Sequence, residues 1–166
     1  MIYTLRLKSN DERVGARDKG LKQEPRFLYK GFPCVVLFMP GGYRCGYVGL
    51  PKGNKFYGKS CEKIPVVCHG GITYAQKYLV GQDDKDTYWI GFDCAHFRDG
   101  RDEKLASKMY SKDLEMRLYI EAHRYMGSYN SLEARTLEYV ENECRKILDK
   151  ILEEDKGNGK SSHDKA

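Results

Sequence analysis

No apolar run in this chain approaches the ~20 residues that a membrane-spanning helix needs, and the longest, Cys34 to Met39, ends at Pro40 and Gly41. The first residues, Met1-Ile2-Tyr3-Thr4-Leu5-Arg6, lack the charged-then-apolar order and small-residue cleavage site of a signal peptide. Together these absences predict a cytoplasmic protein without a membrane partner. No C-x-x-C occurs among the six cysteines, at positions 34, 45, 61, 68, 94 and 144, so the spacing of a structural zinc knuckle is missing. Without an export signal, the thiols are expected to stay reduced. The glycines do not form G-x-x-x-x-G-K-[ST] and there is no H-E-x-x-H, so neither a phosphate-cradling loop nor a metalloprotease helix can be read from the sequence.

What is present describes a globular protein. The 166 residues fit one domain with a single core, and thirteen tyrosines are too many aromatics for a disordered chain. The formal charge of +5 admits a small acidic ligand such as a nucleotide. Nucleic acid has less support, because basic residues alternate with acidic ones, as in Asp11-Glu12-Arg13 and Glu141 to Lys146, the pattern of a solvated surface.

Ile2 to Leu7 reads as a first strand and Lys8 to Pro25 as a long loop or covering arm with Lys8, Arg13, Arg17, Lys19 and Lys22 along it. Arg26 to Tyr29 and Cys34 to Met39 read as a hairpin, followed by a turn at Pro40-Gly41-Gly42 and a strand from Tyr43 to Leu50. Pro51 to Lys59 is rich in turn formers and is expected on the surface. Val66-Val67-Cys68 and Tyr88 to Phe92 read as two further strands. After Arg101 the spacing becomes helical: Leu105 and Met109, then Leu114, Leu118, Ala122 and Met126, then a last helix capped by Asn130 or Ser131 with Leu137, Val140, Cys144, Ile147, Leu148 and Ile151 on one face. The expected fold is an α+β domain over residues 1–155, a mostly antiparallel sheet of about five or six strands covered by C-terminal helices. Residues 156–166 read as a disordered tail.

Chemically capable side chains gather in Cys68-His69-Gly70-Gly71-Ile72-Thr73-Tyr74 and Gly91-Phe92-Asp93-Cys94-Ala95-His96-Phe97-Arg98-Asp99. Alternation along an extended strand puts Ile90, Phe92 and Cys94 on the apolar face and Trp89, Gly91 and Asp93 on the other, which makes Cys94 a core residue. Asp93 and His96, three apart at a strand end, can hydrogen-bond and raise the basicity of the imidazole. Val67, His69 and Gly71 share a face of the earlier strand. The expected catalytic set is therefore His69, Asp93 and His96, with Gly70, Gly71, Thr73, Tyr74, Trp89 and Asp99 as ligand-binding residues on a pocket floor beside Trp89. Each also has a structural alternative, such as Asp93 bracing the turn after its strand. Three chemistries fit: His-based hydrolysis or phosphodiester cleavage, cysteine catalysis through Cys45 or Cys94, and a divalent metal held by His69, Asp93 and His96 with Asp99 as a further ligand.

Arg44-Cys45-Gly46-Tyr47-Val48-Gly49 with Pro51, then His69 to Tyr74, then Trp89 to His96 with Asp99, resembles a family of small proteins encoded by bacteriophages and prophages. The likeness spans roughly positions 43 to 100. In that family His-Pro is usual near Asn54-Lys55, and a leucine stands where this chain has Ile72. The resemblance implies a viral accessory protein acting in the cytoplasm of a bacterium. Its function would be that of a small hydrolase-like enzyme on a nucleotide or other phosphate-bearing ligand, or of a non-catalytic protein that sequesters a nucleotide signal or blocks a host defence protein.

Overall fold

The computed structural model describes residues 3–4, 22–126 and 132–158. Among these residues seven strands form one antiparallel sheet: β1 (Tyr3–Thr4), β2 (Lys22–Gln23), β3 (Phe27–Tyr29), β4 (Phe32–Phe38), β5 (Arg44–Pro51), β6 (Tyr74–Gln76) and β7 (Thr87–Asp93). Their order is β1-β2-β4-β5-β7-β6, with β3 also paired to β4. Three helices follow: α1 (Glu103–Met109), α2 (Leu114–Met126) and α3 (Leu137–Asn158). The fold is α+β with an antiparallel sheet, and the strand count exceeds five or six because β1 and β2 are two-residue pieces.

The hairpin between β3 and β4 turns at Lys30 and Gly31, with φ of 50° and 84°, the double left-handed turn that suits strand twist. β2 and β3 lie along the same edge of β4, as one strand interrupted at Pro25, which has no N–H to give to a ladder. What read as the end of a covering arm is therefore sheet at Lys22 and Gln23. Residues 5–21, with most of that arm and of the first expected strand, lie outside the described residues.

β4 and β5 are central and buried on both faces, which explains their unbroken apolar runs. On one face Cys34, Val36, Val48, Leu50, Ile90, Phe92 and Cys94 meet Val140, Cys144, Ile147, Leu148 and Ile151 of α3. Those five α3 residues are fully buried, and each contributes roughly 1.5–3 kcal/mol of apolar transfer, less for the smaller Cys144. Gly46 sits where α3 crosses β5: a Cβ there would lie 2.6 Å from the Phe92 ring and 2.9 Å from Cys144 Sγ. On the opposite face Val35, Leu37, Cys45, Tyr47 and Trp89 are covered by Leu79 and Val80 from the β6–β7 connection.

Some expectations need correction. Val66 to Cys68 is not a strand; the neighbouring strand is β6. Pro65 lacks an N–H, Val67 is 91% exposed, and Gly70 and Gly71 adopt φ of 64° and 88°, so no extended run survives. α2 packs through Met116 and Ile120 against Phe38, leaving Leu114 and Leu118 exposed; apolar pairs four apart occupy both faces of this helix, and periodicity cannot choose between them. α3 starts at Leu137, where Thr136 Oγ1 accepts the Tyr139 N–H at 3.1 Å. The expected caps, Asn130 and Ser131, lie outside the described residues. At its far end α3 runs to Asn158, into the expected tail, and residues 159–166 lie outside the described residues. The turn-rich segment 51–59 is partly inside: Phe56 is buried, and Asn54 donates to Asp155 of α3 at 2.7 Å.

Candidate functional site

The chain leaves β7 at Asp93, whose Oδ1 accepts the Ala95 N–H at 3.1 Å, a side-chain-closed turn. Asp93 Oδ2 accepts from Thr73 Oγ1 at 2.9 Å. These bonds steer the chain out of the sheet. A second turn follows, with Asp99 N–H donating to His96 O at 2.9 Å and His96 N–H donating to Asp99 Oδ2 at 3.0 Å. Asp99 is thereby folded inward and is 1% exposed. Arg101 holds the outside of the loop, donating to the carbonyls of Cys94 and Ala95 and stacking 4.5 Å over the Tyr43 ring.

His69 lies on the loop before β6 and is fixed at three points. Its N–H donates to Glu143 Oε2 at 2.9 Å, its Nδ1 is 2.9 Å from Tyr139 Oη, and its Nε2 is 2.8 Å from Asp99 Oδ2. An ionised carboxylate only accepts, so the proton of that last bond belongs to Nε2, and in the neutral ring Nδ1 accepts the Tyr139 O–H. Burial, then Glu143 nearby, pushes the Tyr139 phenol up, so it keeps its proton. Arg135, in the segment ahead of α3, donates from Nε to Asp99 Oδ1 at 3.0 Å and lies 5.0 Å over the Tyr139 ring. Burial alone would raise the Asp99 carboxyl, but the bonds from His69, the His96 N–H and Arg135 outweigh it and hold it below the usual carboxylate range.

His96 completes the group. Its ring meets that of His69 edge-on at 5.4 Å, and its side chain is 40% exposed. Nδ1 is buried 3.4 Å from Asp99 Oδ2 without making a hydrogen bond. Gly70 allows this placement twice over: its φ is 64°, and a Cβ would fall 1.9 Å from His96 Cε1.

The structure thus brings together His69, Gly70, His96 and Asp99. Asp99, not Asp93, is the carboxylate between the imidazoles; Asp93 braces the turn with Thr73. Tyr74 and Trp89 belong to the opposite face of the sheet, where Trp89 is 1% exposed beneath the Arg26 guanidinium. Trp89 does not share a face with His69: alternation sends it away from Phe92, whose ring centroid is 6.3 Å from that of His69. Gly71 has a φ of 88° and nothing near its missing Cβ. Cys45 and Cys94 are both buried, and burial pushes the Cys45 thiol up to about 12 and that of Cys94 higher still, which disfavours a thiolate at either.

Sequence reasoning missed Arg135, Tyr139 and Glu143. The last two are four apart on the flank of the buried α3 stripe, and that spacing was the available signal. His69, His96 and Asp99 each offer one ligand atom, and the three atoms lie within 4.8 Å of one another. No helix among the described residues is long and apolar enough to cross a membrane. Comparisons with family models, curated proteins and solved structures find no match for this chain.

Proposed function

We propose that this protein is a small hydrolase-like enzyme acting on a nucleotide or other phosphate-bearing ligand, with the His69, Asp99 and His96 cluster as its site. The observation that carries this reading is His96: one ring nitrogen is buried facing Asp99, while the ring is 40% exposed. A small rotation makes the Nδ1–H···Oδ2 bond, which leaves Nε2 to take a proton from water, the arrangement of an oriented general base. Arg135 and Lys146, the latter on Glu143 Oε1 at 2.7 Å, supply positive charge at the rim for an acidic ligand. The resemblance to phage-encoded proteins supports a viral accessory role in the cytoplasm of a host bacterium.

A second reading is a non-catalytic protein that sequesters a nucleotide signal or blocks a host defence protein. It is favoured by the engagement of both His69 nitrogens and both Asp99 oxygens within the protein, which leaves His96 without a second catalytic partner. Incubation with a panel of nucleotides and cyclic nucleotides, read by mass spectrometry, separates the two. Product that disappears in His96→Ala supports the enzyme; intact ligand recovered from a complex supports sequestration; neither product nor complex removes both ligand readings.

A further inference from the structure

We infer that His69 Nε2, His96 Nδ1 and Asp99 Oδ2 form a binding site for one divalent ion of the zinc type. This rests on the reading above only for the location of the site, since binding does not require turnover.

Spacing is the first support. Two ligand atoms about 2.0–2.1 Å from a tetrahedral ion lie roughly 3.3 Å apart, and His96 Nδ1 stands 3.4 Å from Asp99 Oδ2. At this length the pair makes no hydrogen bond, and Nδ1 is a buried polar atom with no partner. Such an atom is costly unless something satisfies it, and an ion between the two would. The His69–Asp99 pair, at 2.8 Å, has to open slightly.

The surroundings are the second. Metal-bound imidazoles are typically oriented by a partner on the other ring nitrogen. Coordination through His69 Nε2 moves the ring proton to Nδ1, and the Tyr139 hydroxyl there can accept as readily as donate. Asp99 Oδ1 is held by Arg135, and Oδ2, which also accepts the His96 N–H at 3.0 Å, is the oxygen that faces both imidazoles.

Charge selects the metal. Arg135 offsets the Asp99 carboxylate, and two neutral nitrogens do little for magnesium or calcium, which take oxygen donors. Imidazole-rich sites suit zinc, cobalt, nickel or copper. Three protein ligands leave a position for water or a phosphate oxygen, as in catalytic rather than structural zinc sites. An ion held there would supply Lewis-acid chemistry, and His96 would serve as a ligand to it rather than as a base.

The untagged full chain, stripped with chelator and dialysed against zinc or cobalt, is expected to hold one ion per chain by metal analysis and to give the intense visible absorption of four- or five-coordinate cobalt. Magnesium is expected not to compete. His96→Ala, at a half-exposed position that folding tolerates, should weaken zinc binding by more than the roughly 10–100-fold typical of outer-shell changes, and Tyr139→Phe by roughly 10-fold. His163→Ala should leave binding unchanged. Well under one ion per chain, equal affinity for magnesium, or binding unaltered in His96→Ala overturns the site. Zinc bound with no product from any nucleotide upholds the site and removes the hydrolase reading, whereas product from an ion-free chain that takes up no zinc upholds the hydrolase and removes the site.

Discussion

Among the described residues two buried carboxylates meet an arginine, and they differ in what else they touch. Glu24 receives both Nε and Nη2 of Arg44, at 2.8 and 3.0 Å, and both side chains are under 10% exposed. Arg44 spends its third nitrogen on the Arg135 carbonyl at 3.0 Å and lies 5.0 Å over Phe38. That pair is closed: charge fixed, fork matched, nothing facing solvent. Asp99 shares its Arg135 with the His69 imidazole and has that of His96 alongside. The two buried ion pairs therefore differ in that only the one at Asp99 adjoins a half-exposed side chain, His96.

The largest effect that tests this contrast is expected at the closed pair. Arg44→Met strands Glu24 as an unpaired buried charge and should cost about 3–5 kcal/mol in urea denaturation, while adding Glu24→Gln restores part of it. An Arg44→Met cost below 1 kcal/mol would break the contrast. Gly70→Ala comes next, at about 1–3 kcal/mol from the left-handed backbone. Because the added methyl also evicts the His96 ring, ligand handling should fall more than stability, and a His96→Ala background should absorb most of that functional loss. His96→Ala alone should change stability by no more than about 1 kcal/mol while abolishing product or ligand capture. His69→Ala, which empties two hydrogen bonds, should cost more than that by the same measurement.

The smallest effect is in pH. The Asp99 carboxyl titrates lower in the folded chain than in the unfolded one, so its stabilisation is complete above about pH 4 and fades as pH falls through the folded value. Denaturation midpoints measured from pH 5 downward should therefore drop less steeply in Asp99→Asn than in the native chain. Equal slopes would mean that the bonds to His69 and Arg135 do not favour the ionised form.

Legibility in the sequence followed the range of the interactions. β7 keeps strict alternation, so Phe92 and Cys94 could be assigned to the helix-covered face and Trp89 to the other. The α3 stripe was readable for the same reason: Val140, Cys144, Ile147 and Ile151 repeat at helical spacing. His69, His96 and Asp99 were each picked out, but the carboxylate joining the histidines was taken to be Asp93. Two Asp residues lie three from His96, one on either side, and local spacing cannot choose between them. Thr73 and the Ala95 N–H claim Asp93, while Arg135 and His69 claim Asp99. The false strand at Val66 has the same origin, since β-favouring residues there are overruled by Pro65 and two left-handed glycines.

Arg135 touches both halves of the opening contrast, its guanidinium on Asp99 and its carbonyl on Arg44, and this bears on the order of assembly. The bonds joining His69 to Tyr139, His69 to Glu143 and Arg44 to Arg135 span 70, 74 and 91 residues. Contacts of such range close late, after the loops between them have been ordered. During synthesis the two histidines and their aspartate emerge well before Arg135, Tyr139 and Glu143, the residues that hold them from the segment ahead of α3 and from α3 itself. A chain truncated ahead of residue 135 would carry every residue of the cluster and its local turn, but would lose the contacts from Arg135, Tyr139 and Glu143 that fix His69 and Asp99.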